Sequence, residues 1–292
     1  MNKFAPLNLT KEDIIEYTSE WKGERFSDGR PKVSDDIIER MKEVTLTEAW
    51  AVLREEGYHC QFEGNWMSTQ PRKTLVGRAV TAVYMPRRDD VRLIIYGKAH
   101  ALGCVGDQVS WPIDTLVTGD VYVADVFGKI ADGPVIGDNL LTSIYAKSGN
   151  GVVHDAAVRD IEGIAELDGS VTFCRGFHPS VGTLSIMLVG LNTLVRIGDV
   201  TVMPGDVVLG KDQGVIFIPP HLATKVVSSS EIVRLRDMFG KLRLQEEKYK
   251  PGEIDRDWGQ NIEDDFSQWV EDHMDELPVP KETIQDYLKQ NK

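Results

Sequence analysis

Cysteine is scarce in this sequence, and basic residues are outnumbered. Three cysteines, Cys60, Cys104 and Cys174, lie far apart and form no C-x-x-C pair. We expect them to be buried thiols in a reducing cytoplasm, because their odd number and spacing suit neither a disulfide framework nor a zinc site. The 33 basic and 46 acidic residues give a net charge of −13, which argues against electrostatic binding of nucleic acid.

Long hydrophobic runs are also lacking. No stretch reaches the roughly 18 consecutive apolar residues of a membrane span. The N-terminus turns polar at once and has no signal-peptide apolar region, so the expected location is the cytoplasm, with no membrane contact. Neither a G-x-S-x-G elbow nor a P-loop occurs, which argues against an α/β-hydrolase and a P-loop nucleotidase.

The chain does contain a regular alternation of strand and helix patterns. Its 292 residues are enough for one large domain or two modest ones. Successive segments read as strand, helix, strand, helix and strand, over residues 121–127, 138–147, 151–155, a helix from 159, and 171–174. This order predicts an α/β core with neighbouring parallel strands.

Further helices and strands are predicted on both sides of this core. Cap patterns at Thr10, Ser34 and Thr45 predict three N-terminal helices. The later patterns predict a strand over 76–84, a helix over 91–102, a β-rich region over 184–218 and a long helix over 221–248. The acidic tail, 251–292, is expected to add one or two helices over the core or over a neighbouring subunit.

Two motifs at strand-to-helix junctions carry the most chemistry. Asp138 and the pair Arg159–Asp160 are separated by 20 residues, which gives the pattern D-x20-R-D. Ligands of α/β sheets bind at such junctions, where the first amides of a helix, here those of Asn139 and Leu140, can hold a carboxylate or enolate oxygen. Arg159 can add a bidentate contact to the same anion. The carboxylates of Asp138 and Asp160 suit Mg²⁺ or Mn²⁺.

Simpler interpretations of both motifs remain open on spacing alone. Asp138 can be only a helix N-cap, and Arg159 with Asp160 can be only a surface pair at a helix start. Each of these alternatives is as well supported by the pattern as a ligand site.

Three other polar residues are expected to be structural. His154 lies within an apolar strand and is interpreted as a packed core histidine, and His178 is interpreted in the same way. Asp212, which precedes Gln213 and Gly214, is interpreted as a turn residue whose side chain bonds its own backbone in a β-hairpin.

Several motifs occur together in an order that resembles the RraA-like family. They are the segments 75–81 (LVGRAVT), 119–121 (GDV), 137–140 (GDNL), 155–160 (DAAVRD), 204–208 (PGDVV) and 212–215 (DQGV). The family contains 4-hydroxy-4-methyl-2-oxoglutarate/4-carboxy-4-hydroxy-2-oxoadipate aldolases and non-enzymatic regulators of ribonuclease E activity. The resemblance covers about residues 34–228.

The resemblance implies a swivelling, phosphohistidine-like α/β domain over 34–228. An N-terminal extension, 1–33, and a C-terminal helical, acidic extension, 229–292, lie outside it. It also implies a homotrimer or homohexamer with sites at subunit boundaries.

The resemblance further implies a class II, metal-dependent aldolase or lyase. In this chain, Asp160 matches the aspartate that binds Mg²⁺ (or Mn²⁺) directly, and Asp138 matches the one that holds metal-bound water. Arg159 and the amides of Asn139 and Leu140 match the groups that bind the small 2-oxo acid substrate.

The implied reaction cleaves a 4-hydroxy-2-oxo acid through a pyruvate enolate, with oxaloacetate decarboxylation as a side activity. The regulator branch lacks the aspartate that corresponds to Asp160, which favours an enzyme here. Two alternatives remain: a non-enzymatic regulatory or binding protein on the same scaffold, and a lyase or isomerase acting on a sugar-derived acid.

Overall fold

The computed structural model describes residues 9–290, with the side chain of residue 290 excepted. By its internal contacts the chain divides into two compact units, of which the first ends at Ala223 and the second begins at Thr224. Each unit is described by itself below.

Three short helices open the first unit, at the places that the cap patterns predicted. They are α1 (Lys11–Tyr17), α2 (Asp35–Met41) and α3 (Leu46–Glu55). Thr10 and Thr45 each close a capping box with the residue three positions later, so that both orphan backbone amides are satisfied. Ser34 accepts a hydrogen bond from the Ile37 amide at 3.4 Å.

A nine-stranded sheet forms the centre of the first unit. Its parallel middle consists of β3 (Leu75–Pro86), β4 (Asp120–Lys129), β5 (Val152–Val158) and β6 (Thr172–Phe177). The remaining strands of this sheet are β1 (Phe62–Glu63), β2 (Met67–Ser68), β7 (Ile186–Leu191), β10 (Val207–Lys211) and β11 (Gly214–Ile218). The order is β1-β11-β10-β3-β4-β5-β6-β2, and β7 pairs with the second half of β3.

The parallel strands are joined by helical crossovers on one face of the sheet. These are α4 (Asp89–Ala101), α5 (Asp138–Ser148) and the short α6 (Ile161–Ala165). Leu141 and Ile144 of α5 are fully buried in one core with Tyr122 of β4 and Val152 of β5. Strands covered on both faces are buried along their whole length, as β5 shows, where every residue is buried, including the polar His154 and Asp155.

The opposite face of the sheet is covered by a small hairpin. It consists of β8 (Val195–Ile197) and β9 (Val200–Val202), whose apolar residues pack on Val121, Val123 and Val153. Each fully buried side chain of this kind contributes about 1.5–3 kcal/mol to folding. The two cores hold the strand ends that carry the candidate site.

A buried ion pair fixes the segment before α2 to the start of β4. Arg30 donates to Asp120 from both terminal guanidinium nitrogens, at 3.0 and 3.3 Å, and its Nε donates to Asp28 at 2.8 Å. The Arg30 side chain is 3% exposed and that of Asp120 is fully buried. Arg78 of β3 reaches the same segment, through the carbonyl oxygen of Val33 and the carboxylate of Asp35.

The β10–β11 hairpin corrects one prediction. Asp212 does lie in its two-residue turn, between paired Lys211 and Gly214. Its carboxylate, however, accepts a hydrogen bond from the amide of Arg72 at 2.7 Å. The side chain therefore ties the hairpin to a distant loop and does not bond its own turn.

The second unit is helical, with a hydrophobic core of its own. Its helices are α7 (Ala223–Gln245), α8 (Pro251–Ile254), α9 (Gln260–His273) and α10 (Lys281–Gln290). Phe239 and Phe266 meet at the centre, with ring centroids 5.4 Å apart. Arg236 joins two helices, because it binds Glu263 at 2.8 Å and lies 3.9 Å over the ring of Trp258. The tail thus has three helices after α7, one more than expected.

The cysteines differ from the expectation in one respect. All three are free, but Cys60 is exposed, Cys104 is half-buried and only Cys174 is buried. Across residues 9–290, no helix combines the length and the apolar character needed to cross a membrane.

Candidate functional site

The two ends of the D-x20-R-D pattern lie at the same edge of the sheet. β4 and β5 are parallel neighbours, so the segments that follow them leave the sheet side by side. The Arg159 amide donates to the carbonyl oxygen of Ile136 at 3.1 Å, which ties the end of β5 to the loop that enters α5. The expected convergence of the two motifs is therefore present.

Gly137 is the point of closest approach between the motifs. It is the N-cap of α5, and a Cβ atom there would overlap the Asp160 carboxylate and lie 3.2 Å from Arg159 Nε. Its φ of −128° is open to any residue, so the need for glycine comes from this close approach. The backbone of the α5 start and the side chains of Arg159 and Asp160 thus form one surface.

Asp138 makes the reciprocal contact with α6. A Cβ atom on Gly163 would lie 2.6 Å from Asp138 Oδ2, so the carboxylate rests directly on the backbone of that helix. Each motif therefore touches a glycine in the other element. The arrangement brings Asp138, Arg159 and Asp160 together around the starts of α5 and α6.

Asp160 is held in a conformation that is unusual for a residue other than glycine. Its φ of 57° and ψ of 48° lie in the left-handed helical region, which aspartate tolerates better than most side chains. Strained residues of this kind cluster at ligand-binding and catalytic sites. Arg159 Nε lies 3.4 Å from Asp160 Oδ2, and the two side chains are 37% and 40% exposed, so both are open to a ligand.

The start of α5 differs from both interpretations of Asp138, as a helix N-cap and as part of a ligand site with two free backbone amides. Gly137 occupies the N-cap and makes no side-chain cap bond, so Asp138 is not the cap residue. Its Oδ1 accepts the Asn139 amide at 2.7 Å, so that amide is already engaged. The amide of Leu140 makes no hydrogen bond within the described residues. The surface-pair interpretation of Arg159 and Asp160 is correct as far as it goes, since the pair exists.

His178 is a residue of this site that the sequence interpretation missed. It lines a depression of about 240 Å³ together with Arg159 and Asp160. Its Nδ1 lies 2.7 Å from the Ser180 hydroxyl and accepts backbone N–H groups of Ser180 and Asp132 at 3.3 and 3.4 Å. With Nδ1 serving as acceptor, the neutral ring carries its proton on Nε2. The sequence signal that could have identified His178 is its position directly after the next parallel strand, β6.

His154 is a packed residue, as expected. It is fully buried in β5, and neither ring nitrogen has a hydrogen-bond partner in the described structure. Burial lowers the pKa of His154 to about 3, so the ring is neutral at physiological pH.

The donor set fits a hard divalent cation that keeps most of its water. Among residues 9–290, no group of three or more His, Cys, Asp or Glu side chains converges as a metal cage. Mg²⁺ is commonly held by only one or two carboxylates and completed by water and substrate oxygens. Asp160 and Asp138 are carboxylates of the kind that such a site uses, and the absence of a side chain at Gly137 makes room for the Asp160 carboxylate itself.

Comparison with known proteins matches most of the first unit to one family model. A family model described as RraA-like (Aldolase/RraA) matches residues 31–217. Protein DlpA of Legionella pneumophila is 29% identical over 181 residues, which cover 61% of this chain and 27% of that protein. The uncharacterized protein MJ0644 of Methanocaldococcus jannaschii is 31% identical over 99 residues, which cover 33% of this chain and 47% of that protein. The matched segments thus span between about a quarter and a half of these relatives.

Solved structures share the fold. RraAS2 of Streptomyces coelicolor, described as an unusual member of the RNase ES inhibitor RraA protein family, has a TM-score of 0.60 and 23% identity. The similarity covers 73% of this chain and 98% of that one. An uncharacterized protein from Pseudomonas syringae pv. tomato has a TM-score of 0.60 and 20% identity over 74% of this chain and 95% of that one. The predicted α/β class, with its C-terminal helices, is confirmed.

Proposed function

The chain belongs to the RraA-like (Aldolase/RraA) family, and from this premise we propose that it is a class II aldolase or lyase dependent on Mg²⁺ or Mn²⁺. The substrate is a 4-hydroxy-2-oxo acid, which is cleaved through a pyruvate enolate. The observation that carries the proposal is the contact of Gly137 with Arg159 and Asp160, which joins both motifs in one exposed site.

Substrate binding falls to Arg159 and the start of α5. A planar guanidinium suits a carboxylate or a 2-oxo acid bidentately, and such a charge-assisted hydrogen bond contributes about 1.5–3 kcal/mol. The unengaged Leu140 amide points from a helix start, where backbone N–H groups attract anions. The Asn139 amide becomes available to the substrate when Asp138 turns from it toward a proton or a ligand.

Asp160, with Asp138, would hold the metal, which when bound would polarise the 2-oxo group and stabilise the enolate charge. Asp138 takes up the proton of the substrate's C4 hydroxyl, directly or through water. The C3–C4 bond then breaks, its electrons form the enolate, and C4 becomes a carbonyl carbon. The same carboxyl returns the proton to C3, so that pyruvate forms without an external acid.

His178 acts as a neutral hydrogen-bond donor in this scheme. Its Nε2–H belongs to a ring whose Nδ1 is fixed by Ser180 and Asp132. A neutral imidazole can stabilise a developing oxyanion or hold the distal carboxylate without undergoing proton transfer. In this scheme, the part of the substrate beyond C4 determines which 4-hydroxy-2-oxo acid is accepted.

Assembly as a homotrimer or homohexamer is part of the proposal. Leu93 and Ile94 of α4 are 68% and 61% exposed, and adjacent exposed apolar side chains of this kind favour burial in an interface. Light scattering after gel filtration measures the mass, and a monomer would remove this part of the proposal.

The decisive experiment is release of pyruvate from a panel of 4-hydroxy-2-oxo acids and from oxaloacetate. Turnover is expected with Mg²⁺ or Mn²⁺ and is expected to stop on addition of EDTA. The panel should include sugar-derived acids, to separate a lyase or isomerase of that class. No turnover on any substrate, or a turnover rate that is unchanged by EDTA, would exclude the metal-dependent aldolase.

A non-enzymatic regulatory protein is the second candidate. It is favoured by the fold shared with RraAS2, whose description places it among RNase ES inhibitors. Stoichiometric binding of a ribonuclease E-type enzyme, together with no detectable affinity for Mg²⁺ or Mn²⁺, would support it over the aldolase.

A further inference from the structure

A second cavity lies in the first unit and shares no residue with the candidate site. Its volume is about 270 Å³, and we call it the N-terminal cavity because α1 and the residues after it form one side. Its aromatic lining residues are Tyr17, Trp21, Tyr58 and His221. Two carboxylates, those of Glu20 and Asp206, also line it.

The charge of the N-terminal cavity is of one sign. No lysine or arginine is among its lining residues, so His221 is the one basic side chain there. Burial lowers the pKa of His221 from its ordinary value, which keeps the ring neutral near pH 7. Its Nε2 lies 3.4 Å from the Tyr58 hydroxyl. The lining therefore combines aromatic surfaces with negative charge.

Asp206 supplies a buried acceptor at this cavity. The residue is only 4% exposed, and its Oδ2 accepts the Met203 amide at 2.8 Å. The other carboxylate oxygen receives no hydrogen bond from any residue between 9 and 290. This oxygen is not one of the fully enclosed, unpartnered side-chain atoms of the described residues, so it is open to the cavity and can accept a hydrogen bond from a donor on a ligand.

The aromatic side of the cavity is held in place before any ligand binds. Trp21 Nε1 donates to the carbonyl oxygen of Glu24 at 2.8 Å, and its ring lies against Gly23, where a Cβ atom would approach to 2.5 Å. Arg25 donates to the carbonyl oxygens of Thr18 and Trp21 at 2.8 and 3.1 Å. A rigid wall of this kind lowers the entropic cost of binding.

We infer that the N-terminal cavity binds a small organic cation with a single ammonium group. Aromatic rings attract such a group through their quadrupole, and a desolvated carboxylate forms a charge-assisted hydrogen bond with it. An anion would be repelled by the Glu20 carboxylate, and by that of Asp206 once this carboxyl is ionised. The cavity is slightly below the roughly 300–1,000 Å³ of drug-binding pockets, so the ligand is small.

Isothermal titration of the full chain with three probes tests the inference at pH 8, where the Asp206 carboxyl is ionised although burial raises its pKa to about 7. Choline and n-butylamine carry the ammonium group, and 3,3-dimethylbutan-1-ol is the uncharged carbon analogue of choline. At least one cation is expected to bind about 10-fold or more tightly than the alcohol, since only a cation gains from desolvated cation–π contacts. Tighter binding of choline assigns the aromatic wall as the main contact, and tighter binding of butylamine assigns Asp206. Equal binding of the alcohol, or no binding of either cation, overturns the inference.

Two variants connect the binding to the cavity. Asp206→Asn keeps an oxygen that can accept from the Met203 amide. Glu20→Gln changes an exposed residue, so this variant is expected to fold like the wild type. Each variant is expected to lower the affinity for the cation by about 10-fold, because one charge-assisted contact is lost. Glu16→Gln, which changes an exposed carboxylate of α1 outside the cavity, is the matched control. Unchanged affinity in both cavity variants would overturn the assignment, and because no activity is measured, the result is independent of the aldolase proposal.

Discussion

The carboxylate of Asp138 on α5 rests on Gly163 of α6, so that a single added methyl group would displace it. An ideal Cβ on Gly163 lies 2.6 Å from Asp138 Oδ2 and 2.8 Å from its Cβ. The position of a proposed catalytic group is thus set by the absence of a side chain on a neighbouring helix. This relationship allows the proposed site to be altered without removing any of its charged residues.

Gly163→Ala is therefore expected to lower activity while leaving the fold intact. Alanine favours a helix over glycine by about 1 kcal/mol, which offsets the cost of moving the Asp138 side chain. A displacement near 1 Å at a catalytic group can reduce kcat by roughly 100-fold. The control is Gly252→Ala in α8, where nothing lies within 4 Å of the added atom and activity should not change. Equal activity of the two variants would contradict the assignment of Asp138 as a catalytic residue.

Asp160 is the residue on which we base the proposal of a metal-dependent enzyme over a regulator. Asp160→Asn retains the shape and the tolerance of left-handed backbone, so the melting temperature should stay close to that of the wild type. Affinity for Mn²⁺, measured by titration or by paramagnetic relaxation, should fall at least about 10-fold, since a charged oxygen ligand is lost. Asp168→Asn, an exposed carboxylate paired with Lys73, is the control. Undiminished Mn²⁺ binding in Asp160→Asn would contradict the metal assignment.

The convergence of Asp138 with Arg159 and Asp160 was predictable because the carboxyl ends of parallel strands meet at one edge. The alternating pattern was strong enough to place those strands. The contacts of Gly137 and Gly163 were not predictable, since they depend on how α6 is oriented over α5. The left-handed backbone of Asp160 has no sequence signal either, because aspartate occurs in many other conformations.

Other features were missed in the sequence because the elements are very short or because the contact joins residues far apart in the chain. The edge strands β1 and β2 have two residues each, too few for a periodic pattern. The bond of Asp212 to the Arg72 amide joins residues far apart in the chain, whereas turn chemistry concerns only near neighbours. The proposed boundaries at 33/34 and 228/229, and the roles of the site residues, stay predictions.

His178 offers a test of the hydrogen-bond donor in the proposed site. His178→Ala is expected to lower kcat/KM by about 10- to 100-fold through loss of one donor to the substrate. Ser180→Ala should have a smaller effect of the same kind, because it releases Nδ1 but leaves the imidazole in place. Steady-state kinetics of both variants provide the comparison. A Ser180 variant more damaged than the His178 variant would mean that the loop, and not the ring, matters.

The pair of Arg30 and Asp120 is expected to be a major determinant of the first unit's stability. Arg30→Met removes the guanidinium and leaves Asp120 as a buried, unpaired carboxylate, which costs about 3–5 kcal/mol. The double variant Arg30→Met with Asp120→Asn should recover most of that loss, because the uncompensated charge is gone. Urea unfolding followed by circular dichroism measures both. A single variant as stable as the wild type would show that the pair contributes little.

Asp206 makes a pH-dependent contribution to stability whose sign is opposite to that of most carboxylates. Burial raises the pKa of Asp206 from 3.8 to about 7. Between these two values the folded protein holds a proton that the unfolded chain has released, so this residue makes stability fall as the pH rises, by up to about 1.4 kcal/mol per pH unit. Asp206→Asn has no such proton and should lose the dependence.

The difference in unfolding free energy between the two proteins, taken at pH 5 and pH 8, isolates Asp206 from Glu20, Tyr58 and His221, which line the same cavity. The variant should gain on the wild type at pH 8, and a difference that stays constant with pH would mean that Asp206 is ionised throughout.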